Sequence, residues 1–173
     1  TFSEAPRLVG GRPVFAPLNP AKGFAFDPDI IMAKVRKRTR ALVINSPSNP
    51  TGVVVSEKAL LEIARSLKAR APNAFLIYDD TYARMRYVPA RPRMLPRVKE
   101  ILGDRLIIAG TASKTYCMTG WRIGWLLAPK AIAMKPMICS SAPSATPATI
   151  SPPSITIPWI ALVWLISGVC SVV

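Results

Sequence analysis

The chain has 173 residues, half of them hydrophobic, and 23 Lys plus Arg against 9 Asp plus Glu give it a formal charge of +14; that length suits one domain with its own core. It contains no histidine, which excludes Ser-His-Asp and Cys-His nucleophilic sites and the commonest metal ligand. Its three cysteines, Cys117, Cys139 and Cys170, are odd in number and widely spaced, so they support neither a disulfide framework nor a zinc site and make a reducing, cytoplasmic setting the expectation.

The chain opens at Thr1 without a basic stretch followed by an apolar one, so no secretory signal is expected and the start reads as cut from something longer. At Asp27-Pro28-Asp29-Ile30-Ile31 a helix is predicted to begin, because Asp27 can cap free N–H groups and Pro28 suits the first helical position. That helix leads into the basic run Lys34 to Arg40. Ala41 to Asn45 is a continuous apolar run closed by Ser, Pro and Asn, as expected of a parallel strand buried on both faces. Ser56 caps a second helix with Leu60, Ile63, Ala64 and Leu67 on one face, Glu57 in its first turn, and Lys68 and Arg70 in its last. Pro72 ends it.

Phe75 to Tyr78 is a second strand, and Leu95 to Leu102 a short helix closed by Gly103. Leu106 to Ala109 is a third strand and Arg122 to Ala128 a fourth. Strands alternating with helices predict an α/β layer architecture on a mostly parallel sheet, with right-handed crossovers and helices covering the sheet. After Lys135 the composition breaks, since residues 136–173 carry no charged side chain. Within them Ile155 to Val173 approaches the roughly 20 apolar residues that span a bilayer. The expectation is that this tail is out of frame or truncated relative to the functional protein. A membrane anchor, with the basic residues on the cytoplasmic side, is the competing explanation.

Chemistry-bearing residues sit just after the strand runs: Asn49 after the first, Asp79 at the end of the second, and Thr111, Ser113 and Lys114 after the third. Open α/β sheets bind ligands beyond the carboxyl ends of their strands, so these side chains are expected to converge on one crevice. Taken singly, Lys114 reads as an exposed lysine, Asp79 as a helix cap and Asn49-Pro50-Thr51-Gly52 as a turn. Taken together, three ordered motifs resemble the class I and II aminotransferases of the aspartate aminotransferase superfamily, the fold type I pyridoxal-phosphate enzymes. They are Asn45-Ser-Pro-Ser-Asn-Pro-Thr-Gly52, Tyr78-Asp-Asp-Thr-Tyr82 and the segment Thr111 to Trp125, which holds Ser113-Lys114 and Gly120-Trp-Arg-Ile-Gly124.

That resemblance implies part of a three-layer α/β/α large domain over residues 1–135 and pyridoxal 5′-phosphate as cofactor. By it, Lys114 is the Schiff-base lysine and the base on the substrate Cα proton. Asn49 and Tyr82 meet the cofactor's 3′ oxygen, and Asp79 meets the pyridine nitrogen, where a carboxylate keeps the ring an electron acceptor. Arg122 grips the phosphate with its planar fork of donors, helped by the hydroxyls of Ser113 and Thr111, the latter standing where the family usually has serine. The implied reaction is amino-group transfer between an amino acid and a 2-oxo acid by a homodimer, and so partial a chain is expected to be nearly inactive alone. Trp121, Trp125 and Met118 are expected to pack, and Cys117 to be a small buried side chain. The same core would serve a carbon–sulfur lyase or a synthase of the superfamily. A basic nucleic-acid-binding module, suggested by Lys34 to Arg40 with Arg84, Arg86, Arg91 and Arg93, lacks interleaved aromatics, so neither nucleic acid nor membrane is an expected partner.

Overall fold

The computed structural model describes residues 2–87 and 94–133. Arg91, Arg93, Cys139, Cys170 and the whole uncharged tail, including the proposed span Ile155 to Val173, lie outside the described residues. Among those described, no helix is long and apolar enough to cross a membrane.

Chain order begins with a short helix α1 (Glu4–Leu8), followed by α2 (Pro28–Lys34), strand β1 (Ala41–Asn45), α3 (Glu57–Arg70) and β2 (Phe75–Asp79). Then come α4 (Met94–Leu102), β3 (Leu106–Thr111), the single turn α5 (Ala112–Thr115), β4 (Gly124–Leu127) and α6 (Lys130–Ala133). The caps form as expected. Asp27 Oδ1 accepts from the N–H groups of Asp29 (3.0 Å) and Ile30 (3.4 Å), Ser56 Oγ accepts from Ala59 N at 3.2 Å, and Gly103 closes α4 at φ +58.

Helix α2 stops at Lys34, where the basic run begins, because β-branched Val35 turns extended (φ −75, ψ 132) and Arg36 folds back to donate to Ala33 O at 2.7 Å. Other arginines tie elements together. Arg70 donates to Met32 O (3.1 Å), Arg105 to Pro72 O (2.6 Å) and Arg97 to Glu57 (2.6 Å). Part of the large basic excess is therefore used in holding helix ends and loops.

The sheet order is β1-β2-β3-β4, with β1, β2 and β3 parallel and β4 antiparallel to β3. The fourth strand is shorter than Arg122 to Ala128: it starts at Gly124, because Arg122 adopts a left-handed backbone (φ 55) that breaks the extended run. Side chains alternate across a strand. Ile44, Leu76, Tyr78 and Leu106, with Leu42 and Ile108 packed beside them, fall on the face that shares one core with α2, α3 and α4. Ile63, Leu60 and Leu67 of α3 are fully buried there. Asn45, Asp79 and Thr111 follow core-facing positions by one residue, so they belong to the opposite face at the carboxyl end of the parallel strands.

Candidate active site

Five segments meet at that end. The first is the turn after β1, which the Pro-rich sequence 46–52 closes tightly: Gly52 sits at φ +72, its N–H donates to Ser48 O at 2.7 Å, and Ser48 N donates to Val53 O at 2.9 Å. Glycine supplies the left-handed backbone that side chains disfavour. Ser46 is fully buried, yet satisfied, since its Oγ accepts from Val55 N at 2.9 Å and its own N–H donates to Asp79 O at 3.1 Å.

The same turn presents Asn49. Its backbone N–H donates to Asn45 Oδ1 at 2.9 Å, and its side-chain Nδ2 donates to the Tyr82 hydroxyl at 2.8 Å. Two side chains separated by 33 positions are thus joined directly. Asp79 ends β2 beside Asn45, its register partner in β1. One carboxylate oxygen, Oδ1, accepts from both the backbone N–H of Thr81 (3.0 Å) and the Thr81 hydroxyl (2.5 Å). The other accepts from no described residue.

Below this loop, on the core side of β2, Asp80 pairs with Arg86 at 3.3 Å. Burial pushes the Asp80 carboxyl above its ordinary value, with the Arg86 cation opposing. Burial also raises the Tyr78 hydroxyl, against the pull of neighbouring Ser46 and Arg86.

The remaining contributions come from β3, α5 and the start of β4. Ser113 and Lys114 lie on the one-turn helix α5, with Lys114 exposed at its last turn. Ala112 N donates to Ile123 O at 3.1 Å, and Thr111 is the register partner of Gly124, which brings Arg122 next to the end of β3. Arg122 donates through one terminal nitrogen to Thr119 O at 2.7 Å. Its Nε and the Thr111 Oγ1 are both buried and without a hydrogen-bond partner among the described residues. Buried donors left unpaired cost about 1–3 kcal/mol each, so two of them at one strand end call for an acceptor from beyond the described residues. Tyr78 hydroxyl and Arg86 Nε are also buried and unpartnered, on the core side of β2.

All seven residues singled out from the sequence (Asn49, Asp79, Tyr82, Thr111, Ser113, Lys114 and Arg122) fall in these segments. Asn49 and Tyr82 touch each other, Thr111 through Lys114 run on continuously from β3, and Arg122 approaches through the β3–β4 register. Two neighbouring expectations are corrected. Cys117 is exposed, because a positive φ of 55 turns the chain outward just after α5. Trp121 is 66% exposed at the end of the turn Thr119–Trp121 instead of packing. Trp125 does pack, against Gly110. Thr81, Asn45 and Ser46 had no role in the sequence reading; a threonine two positions after an aspartate is the one local signal, since such pairs favour a side-chain-to-backbone turn.

The profile of a family described as aminotransferase class I and II matches residues 1–166, reaching beyond Lys135 into the uncharged segment. The chain is 36% identical over 151 residues to a probable aspartate/prephenate aminotransferase of Thermus aquaticus, covering 87% of this chain and 38% of that protein. It is 38% identical over 130 residues to a probable N-succinyldiaminopimelate aminotransferase of Mycobacterium tuberculosis, covering 75% and 32% respectively. Among solved structures, aspartate aminotransferase of Thermus thermophilus with maleate superimposes with a TM-score of 0.64 at 32% identity, over 73% of this chain and 31% of that one. An aromatic aminotransferase of Pyrococcus horikoshii gives 0.65 at 37% identity, over 73% and 33%. The chain thus spans 31% to 38% of the length of these relatives.

Proposed function

Because the chain belongs to aminotransferase class I and II, we propose that residues 1–135 form the central part of a pyridoxal-phosphate-binding large domain. The whole protein transfers an amino group between an amino acid and a 2-oxo acid. The observation that carries this reading is the pair of buried, unpartnered donors, Thr111 Oγ1 and Arg122 Nε, at the strand end where Asp79, Asn49 and Lys114 also emerge.

The residues present fit the cofactor. A phosphate supplies the acceptor oxygens that a buried hydroxyl and guanidinium lack, and Arg122 keeps Nε for it while another nitrogen is tied to Thr119. Ser113 adds a hydroxyl from α5. Asp79 offers its unengaged oxygen to a ring N–H, and Asn49 and Tyr82, already joined, offer donors to a phenolic oxygen. Bound there, the cofactor supplies an electron-accepting ring that stabilises the carbanion left when a Cα proton departs.

Lys114 would hold the cofactor through its amine and, when free of it, would take the proton from the substrate Cα. Its exposure in the present chain allows a substrate to reach it. Asp79 holds the ring nitrogen protonated and Arg122 anchors the far end, so Lys114 meets a fixed reaction centre.

The working unit is a homodimer in a reducing, cytoplasmic setting. The exposure of Leu8, Val9, Val14 and Phe15 supports an apolar interface. The test is to mix the purified chain with pyridoxal 5′-phosphate, reduce with borohydride and map the label. A covalent label on Lys114, absent from Lys114→Ala, is expected; equal labelling of other lysines in both proteins would overturn the assignment.

A further inference from the structure

We infer that Thr81 is a positioning residue that dedicates one face of the Asp79 carboxylate to the ring nitrogen of the bound cofactor. This rests on the cofactor-site reading above and adds to it a residue that touches neither cofactor nor substrate.

Asp79 is the last residue of β2, and its side chain leaves the sheet where backbone pairing ends. A terminal aspartate of this kind has two free torsions and two equivalent oxygens, so an incoming N–H donor would have to select one arrangement out of several. Thr81 removes that freedom. Its hydroxyl and its backbone N–H both donate to Oδ1, so two donors from one residue hold the same oxygen. Oδ2 is left as the acceptor.

The segment that carries Thr81 is itself held from three directions. Asp80 N donates to Ala109 O at 2.8 Å, Asp80 pairs with Arg86, and Tyr82 is joined to Asn49. On the other side Ser46 N donates to the Asp79 carbonyl. Backbone and carboxylate of Asp79 are therefore fixed by separate partners, and Thr81 is the one whose side chain acts on the carboxylate.

A ligand whose ring nitrogen donates to Asp79 gains from this orientation, and a ligand with a carbon at that position does not. Pyridoxal 5′-phosphate and its 1-deaza analogue, in which the ring nitrogen is replaced by C–H, form such a pair. Hydrogen bonds to charged groups are the stronger class, and losing the preset geometry of one is expected to change affinity about tenfold.

The experiment titrates wild type, Thr81→Val, Thr81→Ser and Lys114→Ala with each ligand, following tryptophan fluorescence, with borohydride trapping to read covalent attachment and a urea unfolding curve for each protein. Thr81→Val keeps the branched shape and the backbone N–H and removes the hydroxyl donor. It is expected to lose about tenfold of the wild-type preference for pyridoxal 5′-phosphate over the analogue, with affinity for the analogue unchanged. Thr81→Ser is expected to keep the preference. Should Thr81→Val fail to fold, Thr81→Ala serves as the second hydroxyl-free variant.

An unchanged preference in the hydroxyl-free variants, or an equal loss for both ligands, overturns the positioning role. If Lys114→Ala abolishes covalent attachment in that case, the cofactor-site reading stands without it. Attachment that survives Lys114→Ala, or no saturable binding to wild type, removes both together.

Discussion

Replacing Gly110 by alanine tests the β3–β4 junction that carries Thr111 and brings Arg122 beside it. Gly110 is the register partner of Trp125, and a Cβ built on it would lie 2.4 Å from Cε2 and Nε1 of the indole and 2.6 Å from Cζ2. Carbon atoms in good contact stay about 3.5–4.0 Å apart, so the added methyl overlaps the ring by about 1 Å. Either the indole leaves its rotamer, at about 0.5–1.5 kcal/mol, or the strands part, and overpacking of this kind costs about 1–3 kcal/mol. A loss of about 2 kcal/mol is expected, read as a urea midpoint about 1 M lower at unchanged slope. Removing the obstacle in Gly110→Ala/Trp125→Val should recover at least about 1 kcal/mol relative to the sum of the two single effects. The junction also carries Thr111 and Arg122, so Gly110→Ala should weaken pyridoxal 5′-phosphate binding and the double variant should restore part of it. A Gly110→Ala protein within about 0.5 kcal/mol of wild type, or strictly additive substitutions, would refute the packing argument.

Two further perturbations probe the loop that holds Asp79. Ser46→Ala removes the acceptor of the Val55 N–H in a fully buried position, and leaving that donor unpaired is expected to cost about 1–3 kcal/mol in urea unfolding. Asp80 has a carboxyl raised from its ordinary 3.8 chiefly by burial, so the folded state holds its proton more tightly than the unfolded one. Its contribution to stability is then full below pH 3.8 and declines as pH rises through the folded value. The stability deficit of Asp80→Asn relative to wild type should accordingly shrink as pH rises above 3.8, measured by unfolding curves across that range; a deficit that widens would contradict burial as the dominant cause.

The local parts of this protein were legible without a structure. Asp27 and Ser56 cap their helices, Gly103 ends α4, and the apolar runs at 41, 75 and 106 are strands. Each of these depends on hydrogen bonds or side-chain periodicity within a few residues, which the order of amino acids states directly. The motifs around Asn49, Asp79 and Lys114 were equally visible, because turn and strand-end residues are contiguous in the chain. Their arrangement was not.

That β4 runs antiparallel beside β3, that Asn49 meets Tyr82, and that Gly110 makes room for Trp125 are decided by which segments lie side by side after the chain crosses over. The exposure of Cys117 and Trp121 follows from backbone turns at positive φ and in a 3-10 segment, which their side-chain chemistry does not announce. The one-turn helix bearing Lys114 is too short to stabilise itself; its place between β3 and β4 holds it. Composition and pattern therefore determined the elements and singled out the candidate residues, while tertiary packing decided which of them meet, since long-range pairing depends on the whole core and not on local spacing.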